Sequence, residues 1–180
     1  MSGDTRAALA RRIYETAHIT GEFTLRSGAK SNEYFDKYLF EANPKLLKDI
    51  AEAMAPLVPP GVEALAGLEM GGIPLATMLS QLTGLPVLFV RKKAKEYGTC
   101  KIAEGGQVRG RKLLIVEDVV TSGGAILDAA KALREEGAEL VGVVCVIDRE
   151  SGGPANLAKA DLALKPLFTM SQLKRAGGIS

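Results

Sequence analysis

Histidine, cysteine and long apolar runs are all scarce in this 180-residue chain, and each scarcity removes a class of function. The single histidine, His18, falls near the end of the first helical pattern, where a surface or capping role is expected. A histidine-dependent triad or a histidine-rich metal centre lacks its parts. Of the two cysteines, Cys100 stands in a charged, Gly-flanked loop and Cys145 inside the apolar run L-V-G-V-V-C-V-I. Neither has a partner at metal-ligand spacing, and a disulfide between them is not expected. No apolar run approaches the roughly 20 residues of a membrane span. The amino-terminus is polar and charged rather than signal-like, so the expectation is a cytoplasmic protein without a membrane partner. Neither a Walker loop nor G-x-G-x-x-G occurs.

What is present is the composition of one soluble globular domain: 47% of residues are hydrophobic and 24% charged. No repeat, low-complexity tract or linker divides it, so residues 1–180 are expected to form a single domain. The net charge of +2 is unevenly distributed. Between Arg91 and Lys112 stand eight basic residues and two acids, with one aromatic, Tyr97. Without a reading helix or a stacking platform, that stretch points away from nucleic acid and toward a small polyanion.

The chain is organised around Lys112 to Ala125, K-L-L-I-V-E-D-V-V-T-S-G-G-A, which leads into the helical pattern I-L-D-A-A-K-A-L-R-E-E. A β-branched apolar run, two adjacent acids and a Gly-rich turn opening a helix place carboxylates and free backbone N–H groups at the end of a buried strand. Helix-start amides and the helix dipole attract a phosphate, and glycines let the backbone approach it. Ionised carboxylates accept hydrogen bonds, which suits vicinal ribose hydroxyls.

Around that stretch the pattern alternates between strand and helix. A helix is expected from Thr5 to His18, then two short strands outside the main sheet, Gly21 to Gly28 and Glu33 to Phe40. Asn43-Pro44 reads as a helix start, with an apolar stripe running to Leu57. Strands follow at Val62 to Leu68, Leu85 to Val90, Lys112 to Val116 and Leu140 to Ile147, with an edge strand at Asp161 to Phe168. Helices lie between them, opened at Pro74 and Gly124. This predicts an α/β fold, a parallel sheet flanked by helices, with ligands bound outside the carboxyl ends of the strands. The long connection after Val90, about 92–110, reads as a mobile basic lid.

The motif I-V-E-D-V-V-T-S-G-G-A resembles the signature of the type I phosphoribosyltransferases. Three further segments are similar to the orotate-using branch of that family: G-E-F-T-L-R-S-G-A-K-S with Tyr34-Phe35, G-L-E-M-G-G-I-P-L-A, and V-R-K-K-A-K-E-Y-G; the strand ending I-D-R is similar as well. The resemblance implies the type I phosphoribosyltransferase fold with a small amino-terminal hood at about 20–40. It implies transfer of ribose 5-phosphate from phosphoribosyl pyrophosphate (PRPP) to orotate with Mg²⁺, the ion being carried by PRPP rather than held directly by the protein.

Carried over residue by residue, the resemblance makes Lys95, Asp118 and Glu117 catalytic, the two acids binding the ribose hydroxyls. Val119, Val120, Thr121, Ser122, Gly123, Gly124 and Ala125 form the phosphate cradle, and Gly71, Gly72, Arg91, Lys92, Lys95 and Tyr97 serve the rest of PRPP. Arg26, Tyr34, Phe35, Thr121 and Arg149 form the orotate pocket, with Arg149 answering the carboxylate. It also implies a homodimer in which Arg91 and Lys95 serve the partner's site and Lys92 its own. Four positions depart from the usual family pattern: Arg26 and Gly71 stand where lysine is common, Tyr97 where histidine is, and Glu117 where aspartate is. Two other readings are a phosphoribosyltransferase for a purine or uracil, and a non-catalytic regulator that binds the sugar phosphate.

Overall fold

The computed structural model describes residues 3–24, 28, 30–93 and 101–179. Helix α1 (Gly3–Ala17) leads into an antiparallel ribbon, β1 (His18–Thr24) and β2 (Lys30–Phe35), which is separate from the main sheet. The sequence suggests that the second strand continues to Phe40. Instead Asp36 stops it: its side chain accepts from Tyr38 N at 3.1 Å and caps a short helix, α2 (Lys37–Ala42), whose Phe40 is fully buried. A capping carboxylate offers the backbone an alternative to the ladder. Asn43 caps α3 (Pro44–Met54), accepting from Leu46 N at 3.0 Å, with Pro44 at the first turn as its chemistry requires.

Next come β3 (Ala64–Leu68), α4 (Gly72–Thr83), β4 (Val87–Val90), β5 (Ala103–Glu104), β6 (Lys112–Val120), α5 (Gly124–Glu135), β7 (Glu139–Asp148), α6 (Gly153–Ala158), β8 (Leu164–Thr169) and α7 (Met170–Ala176). The sheet order is β5-β4-β3-β6-β7-β8, parallel except for β5, which runs antiparallel along β4. That edge strand corrects the reading of 92–110 as one lid. From Lys101 onward the segment is packed, with Ile102, Ala103 and Val108 buried and Arg91 N donating to Ile102 O at 2.9 Å.

The period-2 geometry of strands divides the core in two. Leu65, Leu114, Val116, Val144 and Val146 face α1, α3, α4 and α7, whereas Ala64, Ala66, Leu113, Ile115, Val143 and Cys145 face α5 and α6. Both faces of the central strands are therefore apolar, as a helix-covered parallel sheet demands. Complete burial of a side chain such as Ile115 contributes about 2–3 kcal/mol. Cys145 is a buried free thiol, and burial raises its pKa well above the usual range, so it acts as a small apolar residue. Among the described residues no helix is long and apolar enough to cross a membrane.

Candidate active site

Strand β6 is longer than its apolar run suggests, and carries the acid pair inside the ladder: Glu117 pairs with Cys145, and Val120 with Asp148. Adjacent strand residues start toward opposite faces, yet the two carboxyl groups stay within hydrogen-bond reach of each other. Glu117 helps line a cup of about 50 Å³ formed with Val119, Val120, Thr121, Gly123, Gly124 and Ala125. Asp118 faces the other way and is fully buried against Gly71, Glu41 and Lys37.

The cup is built by the turn from β6 to α5. Gly123 holds φ +83°, a left-handed conformation open to glycine at little cost, and its O accepts from Leu127 N at 3.0 Å as the helix starts. A side chain there would press on Leu157 Cγ at 3.2 Å. Helix α6 supports the turn from behind, with Asn156 Nδ2 donating to Ser122 O at 3.0 Å. The α5 amino-terminus has no side-chain cap, leaving first-turn amides for an anion. Thr121, Ser122, Gly124 and Ala125 are exposed.

On the Glu117 side the cup adjoins a second cavity of about 260 Å³, bounded by Glu69, Arg91, Lys92, Lys93, Glu117 and Asp128. Glu69 Oε1 accepts from Lys92 N at 2.5 Å, tying the β3–α4 turn to the start of the basic segment. A third cavity, about 220 Å³, lies under the β1–β2 ribbon and brings together Tyr34, Phe35 and Arg149, three of the residues expected to contact a base. Arg149 N donates to Val120 O at 2.8 Å, so this cavity begins one residue from the cup.

His18, expected at a helix end or on the surface, opens β1 and lines this third cavity. It stacks on Tyr14 at 4.8 Å, and its Nε2 lies 2.8 Å from Glu33 Oε2. Lys174 of α7 closes the far side. Arg26, Lys95, Tyr97 and Cys100 lie outside the described residues.

Two residues that sequence reasoning missed define the surroundings of Asp118. Lys37 Nζ lies 2.5 Å from Asp118 Oδ2, and Glu41, only 8% exposed, approaches from the same helix α2. The pattern D-K-Y-L-F-E carries a cap and an i, i+4 Lys–Glu pair that could have signalled a helix. Their meeting with Asp118, more than seventy positions later in the chain, leaves no trace in local sequence.

Burial pushes Asp118 upward, but hydrogen bonding to Glu41, Glu117 and Lys37 outweighs it and holds the carboxyl below its ordinary value. Burial, reinforced by the neighbouring Asp118 charge, raises Glu117 well above the carboxylate range and pushes Glu41 up to about 9. Burial works against the Lys37 charge, yet the contact with Asp118 prevails and raises it. These directions concentrate the negative charge on Asp118, beside the Lys37 ammonium.

A Cβ at Gly71 would overlap Asp118 Oδ2 and stand 2.7 Å from Glu41 Oε1, so a larger residue requires those carboxyl groups to shift. A Cβ at Gly72 would likewise overlap Val116 O, so the β3–α4 turn lies directly on β6. Lys37 places an ammonium in the same neighbourhood from another element. Among the described residues no group of three or more His, Cys, Asp and Glu is arranged to hold a metal ion.

A parallel sheet whose strand ends carry a phosphate-sized cup beside an acid pair defines a class. Residues 39–165 match the phosphoribosyl transferase domain, and the chain belongs to that family. Within it, relatives from 41% to 55% identical to this chain are orotate phosphoribosyltransferases. The one from Nocardioides sp. is 55% identical over 170 residues, covering 94% of this chain and 95% of the relative. The crystal structure of Mycobacterium tuberculosis orotate phosphoribosyltransferase in complex with inorganic phosphate has a TM-score of 0.84 at 28% identity, covering 95% of this chain and 99% of that one. The same enzyme in complex with 5-phospho-α-D-ribosyl 1-diphosphate gives 0.80 at 27%, covering 94% and 98%.

Proposed function

We propose that this chain is an orotate phosphoribosyltransferase, transferring the 5-phosphoribosyl group of PRPP to N1 of orotate to give orotidine 5'-phosphate and pyrophosphate, a step of pyrimidine nucleotide synthesis. The observation that carries the reading is the contiguity of three subsites along one sheet edge: the cup at Val120 to Ala125, the acid pair, and the cavity of Tyr34, Phe35 and Arg149.

The 5-phosphate sits in the cup, held by the α5 amides and the Thr121 and Ser122 hydroxyls. Glu117 and Asp118 meet the ribose hydroxyls at the end of β6. Thr121 and Arg149 contact orotate, the Arg149 guanidinium forming a fork to the carboxylate, while Tyr34, Phe35 and Arg26 complete the pocket. Gly71, Gly72, Lys92 and Tyr97 line the pyrophosphate side.

The C1'–oxygen bond to pyrophosphate breaks with its electron pair leaving on pyrophosphate, the C1'–N1 bond forms, and the N1 proton is released. Positive charge develops on the ribose and negative charge on the departing group. The cations of Arg91, Lys92 and Lys95 stabilise the latter. The donor set fits Mg²⁺ arriving on the diphosphate, since the acids are strand-bound and buried rather than arranged as a cage; when bound, the ion neutralises the diphosphate oxygens and keeps part of its water shell. A homodimer in which Arg91 and Lys95 reach the partner's site, and a cytoplasmic location, belong to the same proposal.

The test is consumption of orotate against uracil, hypoxanthine and adenine by the purified protein with PRPP and Mg²⁺. Orotate alone is expected to be consumed. Consumption of another base instead would overturn the acceptor, and consumption of none would overturn the catalytic reading.

A further inference from the structure

Asp118 is held by a carboxyl group that the reaction itself does not use. Asp118 Oδ1 is engaged by the next backbone amide, Val119 N, at 2.5 Å. Its other oxygen, Oδ2, lies 2.5 Å from Lys37 Nζ, and Oδ2 and Glu41 Oε1, both buried acceptors, crowd the place where a Cβ on Gly71 would stand. Lys37 Nζ compensates the charge of Oδ2, and its side chain, 32% exposed against 1% for Asp118, approaches from the solvent side. Two acceptors facing each other in a buried site are costly, and a single proton shared between them satisfies both.

We propose that Glu41 is a positioning residue for Asp118: as a neutral acid it donates its O–H to Asp118 Oδ2 and fixes the carboxylate at the edge of the site, with Lys37 in the place that substrate hydroxyls take. The reading rests on the phosphoribosyl transfer proposed above. Gly71 follows from it, because any larger residue would separate the two oxygens. The groups facing Glu41 are Lys37 and Asp36 from its own segment and Asp118 from β6, with the Gly71 backbone between, and burial among them favours the protonated acid. Loss of a hydrogen bond to a charged group corresponds to roughly ten- to a hundredfold in affinity.

The experiment compares wild type with Glu41→Ala and Glu41→Gln. Glu41→Ala is expected to raise KM for PRPP at least about tenfold with a smaller change in kcat, and Glu41→Gln, which retains a donor, to recover most of that loss. The wild-type dependence of kcat/KM for PRPP on pH should show an alkaline limb near 9 that Glu41→Gln lacks. Independently of turnover, the infrared difference between wild type and Glu41→Gln at pH 7 should contain a protonated-carboxyl carbonyl band. An ionised carboxylate band in its place, or an unchanged KM in Glu41→Ala, overturns the proposal. If wild type does not turn over orotate, the function fails on its own, and the infrared band with calorimetric PRPP binding still decides the role of Glu41; should Glu41→Ala not fold, Glu41→Gln and the band decide it.

Discussion

At Gly71 an added methyl group meets the Asp118 carboxylate. Gly71→Ala places a methyl group onto Asp118 Oδ2, which must either lose its alignment or push the β3–α4 turn off β6. Overpacking of this kind costs about 1–3 kcal/mol. The expected outcome is a lower Tm together with a fall in kcat/KM of about a hundredfold, read by thermal melts and steady-state kinetics. Arg149 gives the contrasting case, because it bounds a cavity without serving the core. Arg149→Ala is expected to raise KM for orotate about ten- to a hundredfold while leaving Tm and KM for PRPP nearly unchanged. Arg149→Lys should restore only part of it, since an ammonium cannot form the bidentate fork. Equal loss toward both substrates would remove Arg149 from the orotate pocket.

Among the elements, the turn from β6 into α5 joins backbone conformation to ligand binding most directly. Gly123→Ala combines a positive-φ strain of about 1–2 kcal/mol with a contact on Leu157 at 3.2 Å. It is expected to lower stability by about that amount and to weaken phosphate binding, measured by denaturant melts and calorimetry with inorganic phosphate. Elements of this kind are legible in sequence, because β-branched runs, Gly-rich turns and the Asn43-Pro44 start each carry their own chemistry. Helix α2 reads as strand, since six residues are too few to show a period and the aromatic residues before and within it favour a strand despite its cap. β5 was hidden for a simpler reason: two residues acquire strand geometry only by pairing with β4. Within the site, the cup and Arg149 were readable from the β6 and β7 motifs. Lys37 and Glu41 matter only through contacts across the fold, which local sequence cannot express.

For the whole molecule, the buried carboxyls make stability depend on pH. Glu41 is raised in the fold to about 9 from an ordinary 4.5, so the native state holds a proton that the unfolded chain releases. Its contribution is fully present below about 4.5, is lost progressively as pH rises, and levels off above about 9; Glu117 is shifted in the same direction. The Tm of Glu41→Gln minus that of wild type is therefore expected to grow between pH 5 and pH 9, and a constant difference would show that Glu41 titrates normally.

The pinning of Arg91 N to Ile102 O has a consequence of another kind. It joins the end of β4 to the start of β5, so the chain leaves and re-enters the sheet at neighbouring rungs. Replacing residues 94–100 with a short Gly-Asn turn should yield a protein with an unaltered melting curve and negligible turnover. Retained stability with lost turnover would separate the part Lys95 plays in the reaction from the sheet margin to which its segment is joined.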